Sequence, residues 1–157
     1  MRRTIKTAVA VAVAIFLGAS AAQAKAPTCT VIRTKLSGMS NAAGQYADAL
    51  DSISYALTDM QDQSNSGLGL SFTSLHVACI NLVDPAAYFT TYGRKFNWSE
   101  VTTLGQTITK MKLACYALDE DDPISVSTRR MNDINAGISK SAALINTLTA
   151  QVKGCRG

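Results

Sequence analysis

Apolar residues recur along this chain in alternating steps of three and four. In the first such segment the residues at 29, 32, 36, 39, 43, 46, 50, 53, 57 and 60 are Cys, Ile, Leu, Met, Ala, Tyr, Leu, Ile, Leu and Met. This is the a/d repeat of helices that wind around neighbours in a left-handed supercoil, and it predicts one long helix over 29–63. Ala42, Ala49 and Ala56 add a seven-residue stripe of small side chains beside the seam, which lets a neighbouring backbone come close. Ser64-Asn65-Ser66-Gly67 then ends the pattern as a loop.

The second segment steps through Leu68, Phe72, Leu75, Cys79, Leu82, Ala86 and Phe89. Asp84-Pro85 interrupts it. Proline is tolerated at a first helical position behind an acidic cap, so a kink or restart is expected there. Asn97-Trp98-Ser99-Glu100 has the spacing of a capping box, with Asn97 as cap and Glu100 three residues on; the cap accounts for a sequence that is also a glycosylation sequon. A third helix follows through Val101, Leu104, Ile108, Met111, Cys115 and Leu118. An acidic turn, Asp119 to Asp122, leads to Pro123. The last helix steps through Ile124, Ser127, Met131, Ile134, Ile138, Ser141, Ile145, Leu148, Val152 and Cys155.

The expected fold is therefore all-α: an up-down-up-down four-helix bundle with coiled-coil-like heptad packing, two long outer helices and a shorter, kinked inner pair. All four cysteines fall on the seam. Short connections make successive helices antiparallel, so the start of the first helix and the end of the last share one end of the bundle. That pairs Cys29 with Cys155 and Cys79 with Cys115. Crossed pairs would lie roughly 15 Å or more apart along the axis at about 1.5 Å per residue, against the roughly 6 Å a disulfide spans.

Composition changes this picture in one respect. Arg2, Arg3 and Lys6 precede an apolar run from Ala8 to Leu17, and Ala22-Gln23-Ala24 is an A-x-A cleavage signature, so residues 1–24 read as a signal peptide cut after Ala24. The run is too short to span a membrane. Of 15 basic residues three leave with the signal, and 12 face 11 acidic ones in what remains. The basic character belongs largely to the leader, and a nucleic-acid partner, which wants a basic face, drops out. Residues 25–157 suit one domain with one core. An even cysteine count behind a signal peptide implies disulfides and export to the periplasm or beyond.

Candidate chemistry is thin. His76 stands alone beside the second seam and reads as a flanking side chain. Ser74 lies two residues from it, and i,i+2 side chains do not face each other on a helix. Two glutamates and no Glu-x-x-His pair exclude a di-iron site; wide cysteine spacing and the absence of C-x-x-C-H exclude zinc and haem attachment. The acidic quartet lacks calcium-loop spacing, and its charge suits the positive N-terminal end of the last helix. No cofactor and no catalysis are expected.

One stretch resists a purely local account. YFTTYGRKFNW, residues 88–98, holds five of the chain's ten aromatic residues, interleaved with Arg94 and Lys95. Phe89 continues the seam and Trp98 can staple the turn. Tyr88, Tyr92, Arg94, Lys95 and Phe96 are left as either a plug over the end of the inner pair or a partner contact, a composition typical of interface hot spots. Tyr55 sits at an outermost heptad position. Ser127 and Ser141 thin the last helix's core, and Gly105 and Gly137 either permit close helix approach or leave a slim cavity. The reading that fits best is an exported, non-enzymatic protein-binding module, such as an inhibitor or immunity-type protein acting on an envelope protein or effector. The alternatives are an assembly component of an envelope machine, such as a pilus or secretion apparatus, and a binder of a small ligand or lipid in the bundle core.

Overall fold

The computed structural model describes residues 27–65 and 72–155; the expected signal peptide over 1–24 and the seam position Leu68 lie outside them. The described residues form five helices and no strand: α1 (Cys29–Asn65), α2 (Thr73–Ile80), α3 (Val83–Lys95), α4 (Ser99–Tyr116) and α5 (Ile124–Gly154). The second predicted rod is thus divided into α2 and α3, and α1 runs on through Ser64 and Asn65, which the sequence pattern assigns to a loop.

Along α1 the buried residues are Ile32, Met39, Tyr46, Ile53 and Met60, with Ala42, Ala49 and Ala56 beside them. Leu36, Ala43, Leu50 and Leu57, the other half of the a/d set, are only half-buried. The buried face is turned toward the alanine stripe because α2 and α3 pack on that side. On the leucine side a cleft of about 230 Å³ separates Leu36 and Ala43 from Ile145, Leu148 and Val152 of α5.

The break between α2 and α3 falls at Asn81–Leu82, earlier than the expected Asp84-Pro85. Leu82 caps α3, and Pro85 is its third residue, fully buried. The first four N–H groups of a helix have no intrahelical acceptor, so a proline there forfeits no hydrogen bond and need not mark the kink. Asn97 is a second correction. It has φ 51°, in the left-handed region, and belongs to the end of α3. The Trp98 N–H donates to Gly93 O at 2.8 Å and the Asn97 N–H to Arg94 O at 3.3 Å, the two bonds of a Schellman motif with Asn at C′. Trp98 then stands at the N-cap of α4 with no side-chain capping bond.

Glycines set how closely α3 and α4 meet. A Cβ placed on Gly93 would lie 2.4 Å from Thr102 N, and one on Gly105 would lie 2.4 Å from Thr90 N. Gly137 of α5 seats Met111 of α4, whose Cβ would be 3.1 Å from an added methyl. Of the two readings left open, close approach of backbones holds at Gly105, while Gly137 seats the Met111 side chain and also borders an open dent between α4 and α5. As partner numbers rise along α3 they fall along α4.

Two buried hydroxyls inside the packing are paired with each other, while His76 Nε2 is a buried atom without a partner. Tyr46, fully buried on α1, is 2.5 Å through its hydroxyl from Ser141 Oγ on α5, and Ser141 Oγ also donates to Ile138 O at 2.8 Å. Burial pushes the Tyr46 phenol above its ordinary pKa, with the Ser141 bond opposing. Asp122, just before the Pro123 that opens α5, pairs with Arg130, which also donates to Ala117 O. Asp119 accepts the Asp121 N–H at 3.0 Å, closing the turn on itself.

Both disulfides join the expected partners: Cys29 to Cys155, Cα–Cα 5.2 Å, and Cys79 to Cys115, Cα–Cα 6.4 Å. In the chain-entropy account, loops of 126 and 36 residues correspond to about 5 and about 4 kcal/mol.

Gly105→Ala and Gly93→Ala should each destabilise the fold by about 2–3 kcal/mol through overpacking, although alanine is the better helix former by about 1 kcal/mol. Gly44→Ala, where nothing lies within 4 Å of an added Cβ, should instead stabilise. Chemical denaturation of the three variants checks the contrast.

Candidate interaction surfaces

The residues of 88–98 separate into two sets. Phe89 and Trp98 are buried. Tyr88 and Tyr92 of α3 and Phe96 at its C-cap, four residues apart, form a half-buried row: Tyr88 stacks on Tyr92 with centroids 4.3 Å apart, and Tyr92 on Phe96 at 6.0 Å. Phe89 meets Tyr88 edge-on at 5.8 Å. The row leans on α1, where a Cβ on Gly38 would fall 2.3 Å from the Tyr88 hydroxyl. Burial, then the neighbouring Tyr92, raises the Tyr88 pKa. Arg94 and Lys95 are exposed. Lys95 Nζ lies 5.8 Å from the centre of the Phe96 ring and Lys35 Nζ of α1 lies 5.5 Å from it, the geometry of cation–π contact.

The stretch therefore covers the end of the inner helices with two rings and presents three others, edged by cations, along the seam between α1 and α3. Gly38 and Lys35 belong to this surface and were not among the sequence candidates. The usable signal was Gly38 itself, since an interior helical glycine costs about 1 kcal/mol against alanine and wants a packing reason.

Trp98 does more than staple its turn. Its Nε1–H donates to Gln151 Oε1 of α5 at 2.8 Å, and Gln151 Nε2 donates to Glu100 Oε1 at 2.9 Å. Ser99 Oγ donates to the other carboxylate oxygen at 2.8 Å. Burial pushes the Glu100 carboxyl up, but bonds from its own backbone N–H, Ser99 and Gln151 outweigh it and hold the pKa below the ordinary 4.5. This relay binds the start of α4 to the end of α5, and Arg33 Nε of α1 donates to Cys155 O at 2.6 Å.

Further along the α1 seam the surface changes sign. A groove of about 550 Å³ opens where α1 passes the α2–α3 junction, with Asp48, Ile80, Val83 and Asp84 in its walls. A second, of about 450 Å³, adjoins it through Ser52 and Asn81 and exposes Asp51, Tyr55 and Val77. No lysine or arginine lines either. Tyr55 is 77 %, Val77 60 %, Ile80 55 % and Val83 40 % exposed, four of the six large hydrophobic side chains that stand out among the described residues. Contiguous exposed apolar surface of this kind marks interaction sites.

The remaining candidates are dispersed. His76 is half-buried with no hydrogen-bond partner at Nε2. Among the described residues no three His, Cys, Asp or Glu side chains are grouped to hold a metal ion. Beside Ser141 the space is taken by Tyr46, while at Gly137 a dent of about 370 Å³ opens between α4 and α5. No described helix is long and apolar enough to cross a membrane. No protein-family model, no curated protein and no solved structure matches the chain.

Because the Glu100 pKa is lowered on folding, its contribution is complete above the unfolded value near 4.5 and is lost as pH falls through the folded value. The melting temperature of Glu100→Gln should accordingly lie below that of the parent at pH 7, and the gap should close on acidification. Paired thermal melts from pH 7 down to 3 check it.

Proposed function

We propose that this chain is an exported, non-catalytic module that binds another protein, its leader removed after Ala24 and its place of work the periplasm or beyond. In this reading residues 25–157 form one domain, an up-down-up-down bundle with heptad packing, in which α2 and α3 together make the second rod. Supporting it are the two disulfides, the alternating seam in α1, α4 and α5, and partner numbering that falls on one helix as it rises on the next.

The observation that carries the binding function is the row of Tyr88, Tyr92 and Phe96 beside Arg94 and Lys95. Stacked rings are rigid and lose little entropy when a partner covers them, and Tyr and Arg are the residue types enriched in hot spots. The proposed partner is a protein of the envelope or a secreted effector that this module inhibits or shields. A component of an envelope assembly is the second reading, favoured by the uninterrupted 37-residue α1; self-association in sizing experiments would support it and a strict monomer would weaken it. Ligand binding ranks third, the apolar cleft between α1 and α5 being its most suitable place.

Affinity capture from the envelope fraction of the native host, followed by binding measurements on the recovered protein, tests the first reading. Arg94→Ala and Tyr92→Ala should each weaken that binding at least about tenfold and leave the helical circular-dichroism signal unchanged. Equal affinity in both variants would remove the row from the proposal.

A further inference from the structure

The α1–α3 seam carries two opposite surfaces. At one end two ammonium groups, Lys35 and Lys95, gather on the Phe96 ring. At the other, Asp48 and Asp84 flank a groove floored by Ile80 and Val83, without a cation in its walls. Asp48 and Asp84 form no salt bridge among the described residues.

Spacing relates the two poles. From Lys95 back to Asp84 is 11 residues of α3, about 16 Å, and from Lys35 to Asp48 is 13 residues of α1, about 20 Å. Because Lys35 and Lys95 meet at the same Phe96 ring, similar offsets bring the midpoints of the two pairs level, and one twofold axis through the middle of the seam can then relate both. A second copy turned by half a revolution lays its cations over the first copy's aspartates and presents its own aspartates to the first copy's cations. Its Phe96 falls over the exposed Val83 and its Tyr92 over the exposed Ala87. Near the axis α1 offers small, exposed residues, Ser37, Asn41 and Gly44, so two α1 backbones can come close.

We infer that the chain forms a closed twofold dimer through the α1–α3 seam, the Lys35–Phe96–Lys95 end of each copy seated on the Asp48–Asp84 groove of the other. The occupant of the groove is thus a second copy of this chain, chosen by charge and by the match of ring to aliphatic surface. Twofold closure is the commonest symmetry for such self-complementary patches. Such closure leaves no free copy of the patch, so growth stops at two. The dimer stands whether or not a foreign protein binds the row.

The disulfide-bonded protein lacking residues 1–24 tests this by light scattering and sedimentation velocity. The expected result is a doubled mass at about 100 µM, the range of a modest interface. The dimer should weaken at least about tenfold between low and high salt as rim charges are screened. Asp48→Lys with Asp84→Lys should give a monomer, and so should Lys35→Glu with Lys95→Glu. An equimolar mixture of the two double variants should restore a 1:1 dimer, since every facing pair is then of opposite sign. A single-copy mass at every concentration, a dimer that survives both double variants, a mixture that stays monomeric, or oligomers that lengthen without limit would each overturn it. Failure of the binding proposal is separately visible, because Asp48→Lys with Asp84→Lys leaves Tyr92 and Arg94 in place for a foreign partner.

Discussion

A β-carbon at Gly93 or Gly105 would sit 2.4 Å from the backbone nitrogen of the facing threonine, so α3 and α4 reach their separation only because neither position carries one. That separation fixes much of the rest. The chain must reverse over Phe96, Asn97 and Trp98, and a left-handed residue is the short way to do it. The reversal points Trp98 into the packing, where its indole N–H finds Gln151 on α5. The side of α3 that does not meet α4 is left to carry the aromatic row against Gly38 on α1. Backbone packing in one hairpin thus decides which rings of 88–98 are core and which are surface.

How far this was legible from sequence depends on the range of the cause. Helix positions and cysteine partners need only local periodicity and a fixed rise per residue, and both disulfides follow from them. The rotation of α1 does not, because the line Ile32-Met39-Tyr46-Ile53-Met60 runs between its a/d partners Leu36-Ala43-Leu50-Leu57 and the alanine stripe Ala42-Ala49-Ala56, and only the neighbours choose which side is buried with it. Asn97 is ambiguous for a related reason: asparagine suits both an N-cap and a left-handed C′ position, and the required path of the chain decides for the second. Pro85 is compatible with any place in a first turn, so it could not locate the break at Asn81–Leu82.

The candidate surface shows the same division. A cluster of rings with Arg94 and Lys95 stands out in the sequence. Its neighbours do not, since Lys35 and Gly38 lie some fifty residues away and Asp48 acquires meaning only beside Asp84. Tyr55 looked like an isolated exposed ring; Val77, Ile80 and Val83 along adjoining grooves give it company that no periodicity would reveal. Ser141 looked like a thinning of the core and is instead the hydroxyl partner of Tyr46.

The Cys29–Cys155 bond turns nearly the whole folded chain into a covalent ring of helices, with Cys79–Cys115 as a strut across it. A protease that cuts any one connection inside the ring therefore releases nothing: the nicked molecule keeps its mass, plus one water, and all its helices stay tethered. In a compartment rich in hydrolases such a molecule outlasts its first wound, and the damage surfaces only when a reductant opens the ring.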